Sequence, residues 1–437
     1  MLYLLAVRVA VMGFGWAGVL AAGFLLERFP GAEVVAFEKS RRLGGLLSSV
    51  EVNGFTFDVG GSHVIFSNDK AVLAEIVALL GGEALEHQRK AYVRLGDLFV
   101  PYPFENGLYV LPPEERAELI GDLVEALMKI PPGWRPKHLL DWIETTFGNG
   151  IARRYLIPYN EKIWKSPLDQ ISADWVYMPG RLPVPDVKTL IKTAAGMPTI
   201  GYAEQSRFYY PRRGGIQRQY QAALERVRDK VAIRAGEAVK EVRRRGGRLV
   251  VNGVEVDLAV AAVPLPDLIA AFSDAPEEVV KAAERLDYNQ VVVVGVALDK
   301  PAPDQHWIYV PDRRIVFHRY AWLSNYSPAN APPGKSALIV EITLPRDVEP
   351  DLERLKAETM EGLLELGVAQ ERDVLHVEAW LHRYGYPLYT LDHAQNRDTI
   401  LRWLREQGVA AVGRWGQWHY WNTDKVYKNV KETIAAL

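Results

Sequence analysis

Residues Val9 to Ser67 read VAVMGFGWAGVLAAGFLLERFPGAEVVAFEKSRRLGGLLSSVEVNGFTFDVGGSHVIFS, and the fold is decided here. A β-branched run, Val9-Ala10-Val11, turns at Gly13-Phe14-Gly15-Trp16-Ala17-Gly18 into an Ala/Leu-rich helix that ends near Phe29-Pro30. In such a turn Gly13 supplies the sharp reversal and Gly15 lets backbone approach a pyrophosphate. Gly18 lets helix pack on strand, while the helix N-terminus, beginning at Trp16 and Ala17, faces negative charge. A second strand, Val34 to Phe37, ends at Glu38, an acceptor placed for ribose hydroxyls, with Lys39 beside it. The run Val9 to Leu26 is long enough to span a bilayer. The fingerprint spacing of its glycines, the Pro30-Gly31 stop and the strand that follows predict a soluble dinucleotide-binding unit instead. No basic segment or cleavage site accompanies the run, so it does not read as a signal peptide.

Two further features favour FAD over a nicotinamide cofactor. Arg42-Leu43-Gly44-Gly45 follows the acid at once, and its glycines let backbone approach a dinucleotide a second time. Phe57-Asp58-Val59-Gly60-Gly61-Ser62-His63 then sets a small-residue turn and a histidine after a strand, a shape that can lie flat against a ring system. Taken alone, His63 also fits a satisfied structural histidine.

Composition narrows the function. A chain of 437 residues exceeds one compact core, and its net charge of −2 carries no nucleic-acid or anionic-membrane signature. The absence of cysteine removes disulfides, thiolate catalysis and cysteine-linked flavin. The nine histidines show no metal spacing, so no metal site is predicted. Six methionines amid many Arg and Glu are compatible with a thermophilic source. A cytoplasmic protein without membrane insertion is expected, and a homo-oligomer is open.

Along the chain, Ala71 to Leu80 reads as a helix stopped by Gly81-Gly82, and Ala91 to Leu95 with Leu98 to Val100 as a strand pair turned at Gly96-Asp97. Pro101 to Asn106 reads as an extended loop presenting aromatics. Pro113 to Phe147 reads as helical, broken at Pro131-Pro132-Gly133. Tyr159, Asn160 and Trp164 share one or two helical turns and fit either a stacking and hydrogen-bonding surface or a bundle core. Strands are expected around Ala238 to Val242, Leu249 to Val251, Leu258 to Val263, Val291 to Leu298, Trp307 to Val310, Ile315 to His318, Ala337 to Thr343 and Asp373 to Arg383. Near the end, Gly413-Arg414 and Asn422-Thr423-Asp424 lead a strand into a terminal helix whose first amides would stabilise an anion, here reduced flavin.

These features predict an α/β fold with a Rossmann-like FAD-binding domain, which a resemblance to the FAD-binding superfamily implies to be discontinuous (1–68, 205–265 and 405–437). A mainly helical domain (69–90 and 107–185) and an antiparallel sheet domain (91–106, 186–204 and 266–404) complete it.

The core resembles the FAD-binding superfamily of amine oxidases and protoporphyrinogen oxidase. GGSHVIFS (60–67), VPYPFEN (100–106), PYNEKIW (158–164), FHRYAWLSNYSP (317–328), YGYPLYT (384–390) and GRWGQWHY (413–420) together resemble the UDP-galactopyranose mutases, nearer the eukaryotic branch, over nearly the whole chain. The resemblance implies that Val239 backbone meets the adenine, and that Tyr102, Asn160, Trp164, Arg181 and Tyr309 hold the uridine and ribose of a UDP-sugar. It implies that Arg319, Arg414, Tyr386 and Tyr420 hold the diphosphate, a pairing that suits guanidinium chemistry. His63, Arg319 and Arg414 then become the catalytic candidates.

Three departures stand out: Glu105 where the eukaryotic family has Gln, Ser62 as an extra residue before His63, and the missing long loop insertions. The implied reaction interconverts UDP-galactopyranose and UDP-galactofuranose, for cell-surface glycan, without net redox. N5 of FAD, reduced by NADH or NADPH, would attack the anomeric carbon. The rival reading is an FAD-dependent oxidase or dehydrogenase of the amine oxidase or protoporphyrinogen oxidase type, which has no need of paired arginines. A third is a flavoprotein without catalysis.

Overall fold

A computed structural model describes residues 7–177, 186–199 and 206–437. Arg181 and its neighbours lie outside the described residues.

The first strand, Arg8–Met12, is central in a five-stranded parallel sheet, between Leu258–Ala261 and Glu33–Glu38. Val409–Ala411 and Val231–Ala235 complete the two edges. A strand in the middle of a parallel sheet is covered on both faces, which is why Val9 to Met12 is apolar without alternation and wholly buried. The helix Trp16–Arg28 returns the chain to the next parallel strand. The late strands Leu258–Ala261 and Val409–Ala411 bring distant sequence back beside the glycine turn.

A seven-stranded sheet has the order Val374–Pro387, Tyr288–Leu298, Ser336–Pro345, Arg319–Trp322, Trp307–Tyr309, Ala91–Leu95, Leu98–Pro101. Its pairs are antiparallel except Trp307–Tyr309 with Ala91–Leu95. Tyr288–Leu298 is buried throughout. Gly295 in that strand has no side chain because a Cβ would meet Phe57 and Trp380, at 2.9 and 2.8 Å, so the hairpin carrying Phe57 packs directly on the sheet. Helices Pro113–Lys129, Leu139–Ile151 and Ile157–Trp164 form a separate layer. Among the described residues no helix is long and apolar enough to cross a membrane.

Three expectations need correction. Ile315 to His318 is not a strand; the strand runs Arg319–Trp322. Ile315 and Phe317 are instead buried against Gly362, where a Cβ would crowd both, and Arg314 N–H bonds the Asp312 carboxylate at 2.9 Å to turn the chain. Pro101 to Asn106 is not an extended loop. Phe104–Gly107 forms a short helix whose Phe104 packs on Tyr155 at 5.0 Å, and only Tyr102 of its aromatics reaches a cavity. The strand expected at Ala238 begins only at Val242. The Asn252 side chain takes the place of a ladder before it, accepting from Lys240 N (2.9 Å) and Glu241 N (3.1 Å) and donating to Ala238 O (2.8 Å).

Candidate active site: two cavities with a common wall

The first cavity opens at the carboxyl ends of the parallel strands. Gly13, Gly15, Trp16, Ala17 and Gly18 border it on one side, Glu38, Lys39 and Gly45 on another, and Val239 at the far end. Gly13 sits at φ +86°, and a Cβ on Gly18 would be driven into the Gly13 carbonyl, so both positions require glycine. The Glu38 carboxylate accepts from Phe14 N and Ser40 N, both at 2.9 Å. It therefore ties the glycine turn to the second strand while bordering the cavity.

Other cofactor candidates stand behind this wall. Arg42 donates to the Ser49 carbonyl and to Gln217. Gly44 bridges backbone to backbone with Gly15. Gly413 N–H bonds Asn429 at 2.8 Å, and its missing Cβ leaves room for Ala17. Asp424 accepts from Ser67 at 2.8 Å. Gly61 faces the Glu341 carboxylate, which a Cβ would crowd at 3.2 Å. The Trp16 indole donates to Thr423 O at 3.0 Å, joining the first helix to the terminal helix Thr423–Ala435.

A flavin dinucleotide fits these residues. The glycine cradle would be filled by any Cβ, and the Thr423 hydroxyl, at the cavity wall and at the start of a helix, is buried with no partner among the described residues. A ligand acceptor would complete it.

The second cavity brings together eight substrate candidates: Tyr102, Asn160, Trp164, Tyr309, Arg319, Tyr386, Arg414 and Tyr420. Aromatic packing fixes the walls. Tyr386 and Tyr420 meet edge-on at 5.0 Å, Trp164 meets both at 6.4 and 6.1 Å, and Tyr102 and Tyr309 are 4.9 Å apart. Asn160 is less available than its sequence position implies. Its amide donates to Leu156 O at 2.7 Å and its carbonyl accepts from the Trp164 indole at 2.9 Å, so it orients the tryptophan.

The two arginines differ. Arg414 borders both cavities, its guanidinium 4.6 Å from the Tyr420 ring centre and 5.3 Å from that of Tyr386, and it donates to Gly385 O. Arg319 is held by Glu341 through two bonds of 2.8 Å, in cross-strand register. Glu341 also accepts from Ser62 N at 2.8 Å and Tyr386 OH at 3.2 Å, so the extra residue Ser62 has a dedicated partner. Burial works against ionising Glu341, but the Arg319 guanidinium prevails and holds it at about 2. Sequence reasoning missed Glu341. Its signal was there: one carboxylate inside the apolar run Ala337-Leu338-Ile339-Val340-Glu341-Ile342.

His63 borders both cavities and lies 3.2 Å from Gly60 O through Nε2. Burial, with Arg414 adding repulsion, pushes it down to about 4, so it is neutral at pH 7. Since a carbonyl can only accept, Nε2 carries the hydrogen and Nδ1 is left as an acceptor. His318 is buried 4.0 Å from Glu341, both ring nitrogens lack partners among the described residues, and desolvation pushes it down to about 3. Among the described residues no cluster of His, Asp or Glu could hold a metal ion.

Comparisons with known proteins bear on the fold and the family. The family model for flavin containing amine oxidoreductases matches residues 17–420. The crystal structure of a reduced UDP-galactopyranose mutase superposes with a TM-score of 0.90 at 24% identity, covering 99% of this chain and 93% of that one. A CLA-producing fatty acid isomerase from P. acnes superposes at 0.66 with 15% identity over 99% and 98%. The 4,4'-diapophytoene desaturase (4,4'-diaponeurosporene-forming) of Staphylococcus aureus (strain COL) is 27% identical over 164 residues, 37% of this chain and 29% of the desaturase. The chain thus matches under a third of that relative's length. A putative protoporphyrinogen oxidase from Exiguobacterium sp. 255-15 superposes at 0.75 with 18% identity over 99% and 98%, so a mutase, an oxidase, a fatty acid isomerase and a desaturase share these likenesses and the chemistry has to be argued from the site.

Proposed function

Given that the chain belongs to the flavin containing amine oxidoreductase family, we propose that it binds FAD in the first cavity and a UDP-sugar in the second. On this reading it interconverts UDP-galactopyranose and UDP-galactofuranose or a close relative. The observation that carries the reading is Arg414. A guanidinium set among Tyr386, Tyr420 and Trp415 rings, on the wall common to both cavities, suits a diphosphate leaving group beside a flavin. An amine or polyene substrate gains nothing from it.

Bound and reduced, for which NADH or NADPH is the proposed electron source, the flavin would supply the nucleophile toward the anomeric carbon. The chain's own groups do the rest. Arg414 and the Tyr420 hydroxyl hold the departing diphosphate, Tyr386, whose proton is held by Glu341, packs its ring on the Arg414 guanidinium, and Trp164 with Tyr102 and Tyr309 offers aromatic faces to the uridine. The Arg319–Glu341 pair is neutral as a unit, so it orients Ser62 and Tyr386 and leaves the diphosphate to Arg414. Neutral His63 presents Nδ1 as an acceptor toward the sugar side, and the aromatic walls keep water from the reacting carbon.

The test is to reduce the flavin with dithionite under anaerobic conditions, add UDP-galactofuranose and follow UDP-galactopyranose by chromatography. Conversion that needs reduced flavin without consuming it is the expected result. The desaturase likeness favours a second reading, a redox enzyme of an apolar substrate. Flavin bleaching by such a substrate, with no binding of UDP-galactose, would replace the mutase reading with that one.

A further inference from the structure

The helix Ile157–Trp164 carries four cavity residues, Tyr159, Asn160, Ile163 and Trp164, and among them Lys162, which is 6% exposed and does not border the cavity. Its ammonium donates to the carbonyls of Val310 and Asp312, both at 2.8 Å. Its own carbonyl accepts from Thr343 Oγ1 at 2.5 Å, on the strand that carries Glu341. One residue therefore joins the helix, the segment between Tyr309 and Arg319, and the strand behind them. Val310 directly follows Tyr309, and the irregular residues 311–318 lead into Arg319, so both cavity side chains hang from the segment that Lys162 grips.

We propose that Lys162 is a positioning residue for the second cavity: through Val310 and Asp312 it sets Tyr309 and Arg319, and nucleotide-sugar affinity falls when its ammonium loses its charge. The proposal rests on the UDP-sugar reading. A charged donor bonds a carbonyl more strongly than a neutral amine does, so loss of the proton loosens the grip without abolishing it.

The surroundings allow this to happen near neutrality. Burial lowers Lys162 to about 7, Lys165 on the same helix adds repulsion, and Asp312 opposes it. Asp312, His318 and Glu341 do not titrate in that range. The Asp312 carboxylate is ion-paired with Arg314 at 2.7 Å and held below its ordinary value. His318 stays neutral, being pushed down to about 3, and Glu341 stays ionised against Arg319, at about 2. Desolvation also lowers Lys165, whose substitution serves as the control.

The experiment is calorimetric titration of FAD-loaded protein with UDP-galactose, whose diphosphate diester has no group titrating between about pH 6 and pH 8.5. Wild type is expected to bind about fivefold more weakly at the upper pH, and Lys162→Met about tenfold more weakly at the lower pH with a flat profile. Lys165→Gln removes a neighbouring charge and is expected to move the wild-type inflection to higher pH. Should Lys162→Met fail to fold, Lys162→Arg, charged throughout, is expected to abolish the pH dependence. A flat profile in wild type, or the wild-type profile persisting in Lys162→Met or Lys162→Arg, would overturn the proposal while leaving the UDP-sugar reading standing. No binding by wild type at any pH would overturn both.

Discussion

The Arg319 guanidinium lies fork to fork on the Glu341 carboxylate, Nε to Oε1 and Nη2 to Oε2 both at 2.8 Å, across neighbouring strands of the large sheet. Two opposite charges, Glu341 at 2% exposure, enter the cavity wall as a neutral unit. The pair's contribution is geometric: it fixes the turn before His63 through Ser62 N and fixes Tyr386 through its hydroxyl.

Removing one partner is therefore costly. Glu341→Gln leaves a buried guanidinium uncompensated and is expected to lose about 3–5 kcal/mol of stability at neutral pH, read by urea unfolding. The pH dependence has a defined sign. The folded value is depressed, so the contribution is present above the ordinary value of 4.5 and is lost as pH falls toward about 2. Wild type should lose this increment in acid, and the variant should lack that limb.

Asp58 behaves in the opposite sense. Fully buried, it accepts from Ser49 Oγ and Tyr210 OH at 2.7 Å and from Ile216 N at 3.0 Å, and desolvation raises it to about 6. Its contribution is fully present below 3.8 and is lost as pH rises through about 6. Asp58→Asn mimics the neutral acid. Its unfolding free energy should match wild type near pH 4 and exceed it near pH 8 by about 3 kcal/mol, read as a higher melting temperature at the upper pH. Equal melting curves at both pH values would contradict the assignment.

Gly18→Ala tests the cradle. The added Cβ meets the Gly13 backbone, which cannot yield without moving the turn at φ +86°. Flavin content per purified chain, read from the visible absorbance, is expected to fall to a small fraction of wild type. Gly31→Ala, with open space around its Cβ position, should keep its flavin despite some backbone strain at φ +88°.

Arg414→Lys keeps the charge and removes the planar fork that stacks among Tyr386, Trp415 and Tyr420. A loss of about 2 kcal/mol in kcat/KM toward the UDP-sugar is expected, corresponding to roughly thirtyfold. Steady-state assay of the reduced enzyme measures it. Turnover at the wild-type level would remove Arg414 from the diphosphate site.

Much of this was legible in residue order because backbone necessity leaves marks. The spacing Gly13, Gly15, Gly18 marks a turn that tolerates no side chain, and the unalternating Val9 to Met12 marks a central parallel strand. The motifs around Tyr102, Trp164, Tyr309, Tyr386, Arg414 and Tyr420 did converge on one cavity. What stayed hidden is which partner each polar side chain takes, near or far in sequence. Glu38 is bonded to Phe14 and Ser40, Asn160 to its own helix, and Arg319 to a carboxylate twenty-two positions on. Ile315 to Phe317 has strand-like composition, but its side chains are claimed by the surface at Gly362. Propensity weighs backbone preference, whereas the fates of Arg319, of Glu38 at Phe14 and of Ile315 to Phe317 were set by tertiary contacts.

Leu46, His63, Arg414, Asn422 and Thr423 border both cavities. Two ligands that lean on one set of side chains exchange free energy, and the exchange is reciprocal: whatever factor one occupant adds to the affinity of the other, it receives in return. On the proposed reading, occupancy of either cavity would be a variable in the binding constant of its neighbour, with Arg414 on the wall common to both.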